Sequence, residues 1–553
     1  HFDSFIGKLL TRMPAADRKA FKHVVADSYE MGPQNWTDGF ARDFRKRYGY
    51  DPLPWLPALA GRIVGNADQS DRFLWDLRRL VADRVACDYV GGLRDLCHEH
   101  GLKMWLENYG HWGFPAEFLQ YGGASDEIGG EYWVDGDLGS IECRAASSAG
   151  HIYGKPIVWA EAFTGGPAFI NTPRNLKARG DWSFCEGINQ FVLHVYIHQP
   201  WEDKLPGINA GFGTEFNRHN TWFGQSKTWI DYLRRCSVML QAGQPVADVA
   251  YFISEDTPKM TGLCSPKLPP GRDFDFINAE VIQKDLTVSN GMLTLPHGVS
   301  YRVLALPESA TMRPALLRRI RDLVKAGATV VGKPPSRSPS LEDFPKCDEA
   351  VRQLAREVWG DTPASPSGEH TLGKGRVVWG KGLDEVLAAL GSKPDFASPA
   401  RLRFKHRRQG DTEIYFVANP DAAPVTTATA FRADDRMPEL WWPESGRIEW
   451  PAVFETADGR VRLPLSLGPN ASVFVVFRPG KTGFDPVLAV TRDGQSVFPT
   501  LATPRKIAIE KALYGVLGDA IRTRDVRDKV QALVDNGEST FHVGRLAEGD
   551  DPA

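Results

Sequence analysis

From about residue 20 to 250 the chain alternates short apolar runs with amphipathic stretches, the rhythm of β/α units around a parallel sheet. HVVADSYE (23–30) reads as a strand, and FLWDLRRLVADRVACDYVGGLRDLCHEHG (73–101) places apolar residues at helical spacing and closes at Gly101. LKMWLENYG (102–110) returns as a strand, a helix over 139–153 leads into PIVWAEAF (156–163), and QFVLHVYIHQP (190–200) follows as another strand. Side chains alternate along a strand, so Leu193, Val195 and Ile197 are predicted on one face and His194, Tyr196 and His198 on the other. In a barrel, a polar inner face near the carboxyl end of a strand is where active sites sit. On an edge strand the same face would simply meet water.

Near residue 248 the pattern changes. DVAYFIS (248–254), YRVLALPES (301–309) and GATVVGK (327–333), with the helix RPALLRRIRDLVKAG (313–327), predict a smaller, Rossmann-like α/β layer over 246–400. TEIYFVAN (412–419), PELWWP (438–443), GRVRLPLSL (459–467) and SVFVVFRP (472–479) alternate with period two and predict an antiparallel β-sandwich over 401–480. A helix is predicted at AIEKALYGVLGD (508–519), within a further β-rich region over 481–553. The fold class is thus α/β plus all-β, with barrel-like β/α units around a parallel sheet over 1–245.

Composition narrows the partners. A net charge of −3 with 24% charged residues offers no electrostatic case for nucleic acid or an anionic membrane, and no run approaches a membrane span. The 16 Trp suit carbohydrate stacking as well as core packing. Seven scattered Cys form no CxxC pair, which indicates neither a zinc knuckle nor a disulfide framework. Oligomeric state is not legible.

Several barrel-like segments end on acids: Asp27 and Glu30 in ADSYEMG, Glu107 in MWLENYG, Glu127 and Glu131 in SDEIGGEYW, and Glu161 in VWAEAF. A carboxyl flanked by aromatics at a barrel mouth is desolvated, and its raised pKa lets it donate a proton near neutrality. Two such groups can split a glycosidic bond, with retention or inversion set by their separation. Each could instead cap a helix or pair with Arg. GGASDEIGGEYW reads as a Gly-rich loop in which Glu127 and Glu131 could hold a hard cation such as calcium, while His194 and His198 suit sugar hydroxyls better than zinc. No GxSxG elbow, Walker loop or HExxH occurs, and GGPAF (165–169) lacks dinucleotide-site spacing.

ADSYEMGPQNWTDGF (26–40), LENYGHWGFPAEFLQYGG (106–123), SDEIGGEYW (125–133), IVWAEAFTG (157–165), NQFVLHVYIHQP (189–200) and FNRHNTWF (216–223) together resemble the catalytic region of glycoside hydrolase family 106, the α-L-rhamnosidases. The likeness runs in order over roughly 20–480 and includes FDFINAE (274–280). It implies a (β/α)8 TIM-type barrel, complete or incomplete, over 1–245 and an inverting hydrolase of rhamnose-containing glycans or glycosides, with a calcium ion engaging the 2- and 3-hydroxyls of the sugar. Carried over by motif, Glu30 is the general acid and Glu161 the base, roles that could be exchanged, and Glu131 is the leading calcium ligand. Trp36, Trp112, Trp159 and Trp222 are candidate pocket walls, His198 and Asn217 candidate hydrogen-bond partners, and Asp27 and Glu107 further substrate contacts. The resemblance also implies a periplasmic or secreted protein. The family's greater length makes this chain an expected internal fragment whose barrel lacks its opening strands, leaving sheet edges unpaired. Alternatives are a retaining hydrolase of the β-galactosidase type and a non-catalytic glycan-binding relative.

Overall fold

The computed structural model describes residues 1–535 except 34, 110–112, 137–139, 209–210, 362–364, 434–435, 481–486, 489, 498–508, 516–518 and 520. Five parallel strands, β1 (His23–Ala26), β2 (Lys103–Glu107), β3 (Glu127–Trp133), β4 (Val158–Thr164) and β5 (Gln190–Leu193), lie side by side in chain order as a curled half-barrel. Their period-two pattern divides the sheet into two unlike faces. Met104, Leu106, Ile128, Tyr132, Val158, Ala160 and Ala162 are buried on the face covered by helices. Each large side chain among them contributes about 1.5–3 kcal/mol by leaving water. Trp105, Glu107, Glu127, Glu131, Trp159 and Glu161 project from the other face, as the register pairs Trp105 with Glu127 and Glu131 with Glu161.

The covering helices are locally specified. Helix Ala67–Arg84 starts at Asn66, whose side chain accepts from the Gln69 amide, a cap worth about 1 kcal/mol. Helix Pro173–Glu186 begins with proline behind a Thr172–Asn175 capping box and stops at Gly187, which takes φ +102°. Helix Glu142–Ile152 is built of small residues because it lies against the strands: a Cβ added to Gly150 would fall 2.6 Å from a Val158 methyl.

The structure departs from the sequence reading in four places. The long helix predicted over 73–101 becomes Ala67–Arg84, a wider π-turn Val85–Val90 and Gly91–Glu99. Ala82, Ala86 and Val90, four apart, are all buried, a spacing that the wider turn keeps on one face. The predicted strand 190–200 ends at Leu193, because beyond it the Val195 amide bonds to Thr214 O (2.7 Å) and the Thr214 amide to His194 O (2.9 Å). Burial nevertheless alternates as predicted at its end: Ile197 is buried while Tyr196 and His198 are exposed. EIGGEYW (Glu127–Trp133), expected as part of a Gly-rich loop, is a strand. In the predicted helix 508–519, Leu513–Gly515 instead pairs antiparallel with Thr523–Asp525, and a helix follows at Arg527–Asp535.

Beyond the half-barrel, a six-stranded sheet runs Gly368–Leu372, Gly375–Trp379, Thr329–Val331, Val303–Ala305, Val249–Phe252, Phe274–Ile277, parallel except for its first, edge pairing. Two antiparallel sheets follow, of six and four strands. Tyr415, Val417, Val473, Val475 and Phe477 of one share a core with Phe431, Val461, Leu463 and Leu465 of the other. Ile414, Phe416, Phe474 and Val476, on the opposite side of the first sheet, join the core of the half-barrel helices.

Buried ions stitch these parts together. Arg144 of helix Glu142–Ile152 reaches Asp273 (2.8 Å), which also takes Lys405 (2.7 Å) from the β-rich part. Arg79 and Asn278 both bond the buried Glu117, at 3.1 and 2.8 Å. Asp248 receives Arg272, Arg302 and Arg432 at 2.8, 3.2 and 2.9 Å. His406, fully buried, sits between Asp395 and Glu413, both 2.9 Å away, and stacks on the Tyr415 ring. Among the described residues no helix is long and apolar enough to cross a membrane.

Candidate active site

Three of the acids singled out above converge, from the carboxyl ends of β1 and β2 and the middle of β4. One oxygen each of Asp27, Glu107 and Glu161 lies within 4.8 Å of the other two. Glu107 closes β2 and is buried; one of its oxygens accepts from the Ser28 amide (3.1 Å) and hydroxyl (2.8 Å). The other oxygen is buried without a partner. Burial, Asp27 and the Glu161 charge push the Glu107 carboxyl up to about 10, while the bond with Glu107 holds Asp27 below its usual value. Two readings of these groups are chemically sound: a proton shared by Glu107 and Asp27, or a hard cation in its place. Three convergent carboxylates, one with an unsatisfied oxygen, fit an oxygen-loving divalent ion.

Glu161 is half-buried. It accepts from the Thr164 hydroxyl (3.0 Å), lies 3.6 Å from His194 Nδ1, and its pKa is raised by burial, with the Thr164 bond pulling it back and Asp27 adding to the rise. Thr164 is itself 3.2 Å from His194 Nδ1. Burial keeps His194 below the usual imidazole value, so it is neutral near pH 7.

Glu131, the expected calcium ligand, is the register partner of Glu161 and stands outside the three-carboxylate group. It accepts from the Trp133 indole at 2.6 Å. Burial pushes it up to about 7; the Trp133 bond opposes that, and the charges of Glu161, Glu142 and Glu30 add to it. Glu30 is exposed in the segment after β1.

The remaining candidates scatter. Trp159 shares a face with Glu161, as the alternation of PIVWAEAF predicts, and donates to Glu127 (2.6 Å) beside the Trp105 ring. Trp36 is exposed and packs on Phe40. Trp222 donates to Asn171 O (2.9 Å) with its ring edge-on to Phe216. Asn217 is buried, accepts from the His219 amide, and keeps an amide nitrogen without a partner. His198 is exposed and bonds Ile208 through its carbonyl. Trp112 lies outside the described residues. The sequence reading missed Ser28, Thr164, Trp133 and Phe212; only Thr164, three residues after Glu161 in EAFT, carries a local hint.

The profile of a family described as alpha-L-rhamnosidase, glycoside hydrolase 106, matches residues 1–454. A protein of Formosa agariphila provisionally named beta-glucuronidase is 36% identical over all of this chain and 46% of its own length. A rhamnosidase structure from Novosphingobium sp. PP1Y superposes with a TM-score of 0.80 at 31% identity, covering 95% of this chain and 50% of that one. A GH42 beta-galactosidase from G. stearothermophilus shares the fold at 11% identity, with a TM-score of 0.55 over 86% of this chain and 81% of its own. The chain spans about half the length of the first two relatives.

Proposed function

This chain belongs to glycoside hydrolase family 106, the alpha-L-rhamnosidases, and from that premise we propose that it removes terminal α-L-rhamnose from glycans or glycosides by inverting, calcium-assisted acid/base catalysis. The observation that carries the reading is the meeting of Asp27, Glu107 and Glu161 on the polar face of the half-barrel. Asp27 and Glu107 would hold the ion, and Glu161 beside them takes the proton of the attacking water. A bound calcium ion would fix the vicinal 2- and 3-hydroxyls of the sugar. Glu30 delivers a proton to the leaving oxygen. Thr164 holds the Glu161 carboxylate in line, and Trp159 with Trp105 floors the pocket.

The family match over residues 1–454 favours rhamnose over the glucuronate in the name of the Formosa relative. We extend the proposal to a barrel over 1–245, a small α/β domain over 246–400 and a β-sandwich over 401–480, in a periplasmic or secreted protein.

The test is hydrolysis of 4-nitrophenyl α-L-rhamnoside followed by NMR, with β-L-rhamnose as the first product. Initial α-anomer would replace inversion by retention, and binding without turnover would leave a glycan-binding protein. Glu161→Gln should abolish hydrolysis and leave folding intact; near-wild-type turnover would sink the assignment. Calcium titrated by calorimetry should bind the wild type and not D27N/E107Q, and equal binding to both would remove these two as ligands.

A further inference from the structure

Along β4 the alternation that carries Trp159 and Glu161 onto the polar face should turn Thr164 the other way, beside Ala160 and Ala162. It does not, because the strand bulges: against β3 the pairing steps from Tyr132 with Ala162 to Trp133 with Thr164, and Phe163 is left over. Phe163 takes φ +69°, a left-handed conformation that a bulky residue enters only against steric resistance, and it is fully buried. Strain of this kind collects at functional sites. Its local result is that Thr164 Oγ stands 3.0 Å from Glu161 and 3.2 Å from His194 Nδ1. The imidazole is held in place from behind. The His194 amide donates to Ala162 O (2.9 Å), Phe212 stacks on the ring (centroids 5.9 Å apart, planes 28° apart), and a Cβ added to Gly213, at φ +121°, would fall 3.0 Å from Nδ1.

A hydroxyl has one proton to give, and a carboxylate can only accept. With the Thr164 proton given to an ionised Glu161, the Thr164 oxygen meets Nδ1 only by accepting, so Nδ1 carries the hydrogen of the neutral ring. We propose that His194 is a positioning residue: as the Nδ1–H tautomer it donates to Thr164 Oγ and thereby commits the Thr164 hydroxyl to Glu161. The inference rests on the reading of Glu161 as the base given above. In the other tautomer the bare Nδ1 would compete with Glu161 for the same hydroxyl proton, and the carboxylate would lose its tether. The bulge brings the hydroxyl to the polar face, and the imidazole sets the direction in which it points.

Nitrogen NMR of histidine-labelled protein reads the tautomer without turnover, with the His194 signals identified by their loss in His194→Asn. Near neutral pH the ring should show a protonated Nδ1 and a bare Nε2, and the Nε2–H form overturns the proposal. Hydrolysis of 4-nitrophenyl α-L-rhamnoside reads the consequence. Asn places its amide nitrogen where Nδ1 stands, and Gln places its own where Nε2 stands. His194→Asn should therefore keep most of kcat, while His194→Gln should lose about 100-fold in kcat with KM little changed, the scale of a misplaced catalytic group. Equal losses in the two variants overturn the proposal. In a Thr164→Val background His194→Gln should cost nothing further, since His194 acts through that hydroxyl. A full additional loss there also overturns it. The Nδ1–H tautomer in a wild type that hydrolyses nothing overturns only the hydrolase reading.

Discussion

Thr164 is fully buried, and its hydroxyl stands between Glu161 and His194. Burial raises the Glu161 pKa, and the donated hydrogen bond of Thr164 opposes that rise by stabilising the ionised form. A base works only when deprotonated, so activity falls as pH drops through its pKa. Thr164→Val removes the opposing bond and should move the acid limb of kcat/KM to higher pH, with Thr164→Ser moving it back. Glu131 raises a second question at this scale, since a carboxyl near 7 keeps its proton close to neutrality, as a general acid must. A dinitrophenyl leaving group needs no proton, whereas an alkyl alcohol does. Glu30→Gln should therefore retain far more turnover on dinitrophenyl than on alkyl rhamnosides. If Glu131→Gln shows that split instead, Glu131 is the acid. The acids themselves were legible because Glu107 and Glu161 each interrupt an apolar run. Their convergence with Asp27 was not, since it depends on which strands are neighbours. Phe212 left no trace in the pattern at all, as nothing local marks a ring that stacks on Trp133 and His194.

Strands and helices were read well wherever one face is apolar. The second half of 190–200 is not a strand of the sheet because its backbone partners come from Ile208, Thr214 and Phe216, a pairing that alternation cannot encode. β3 failed for a different reason: two glycines in mid-strand look like a loop. In the structure they are there for close approach on both faces. A Cβ on Gly129 would fall 2.6 Å from the Trp105 indole nitrogen, and one on Gly130 would lie 2.9 Å from the Glu142 carbonyl oxygen. Backbone cannot swing aside as a side chain can, so Gly130→Ala should cost about 1–3 kcal/mol in urea denaturation. A cost under ~0.5 kcal/mol would mean that the helix Glu142–Ile152 shifts freely.

Across the whole molecule, the buried charges were the least legible feature, because an Arg or Asp in a polar stretch looks the same whether it faces water or another layer. His406 is the clearest case. Burial lowers its pKa, but Asp395 and Glu413 on either side outweigh that and leave it raised, while both acids end up lowered despite their own desolvation. The acids contribute stability above their ordinary range near 4, lost as pH falls through their lowered values. The imidazolium contributes fully below about 6.5, and its share is lost as pH rises through its raised value. His406→Gln should cost about 3–5 kcal/mol between those limits, with the gap to wild type narrowing as pH climbs past them. A gap that is flat from pH 5 to 9 would mean the imidazole is neutral in the folded protein.

The ionic seams have a practical side for anyone wishing to work with a smaller piece. An expression clone stopped at residue 245 would keep Arg79, Glu117, Arg144 and His151 but discard Asn278, Asp273 and Asp275, their partners from the next layer. It would also uncover the helix surface on which Phe416 and Phe474 rest. Such a clone is a poor choice for crystallisation or directed evolution, and library designs that shuffle modules should exchange 1–480 as a single block.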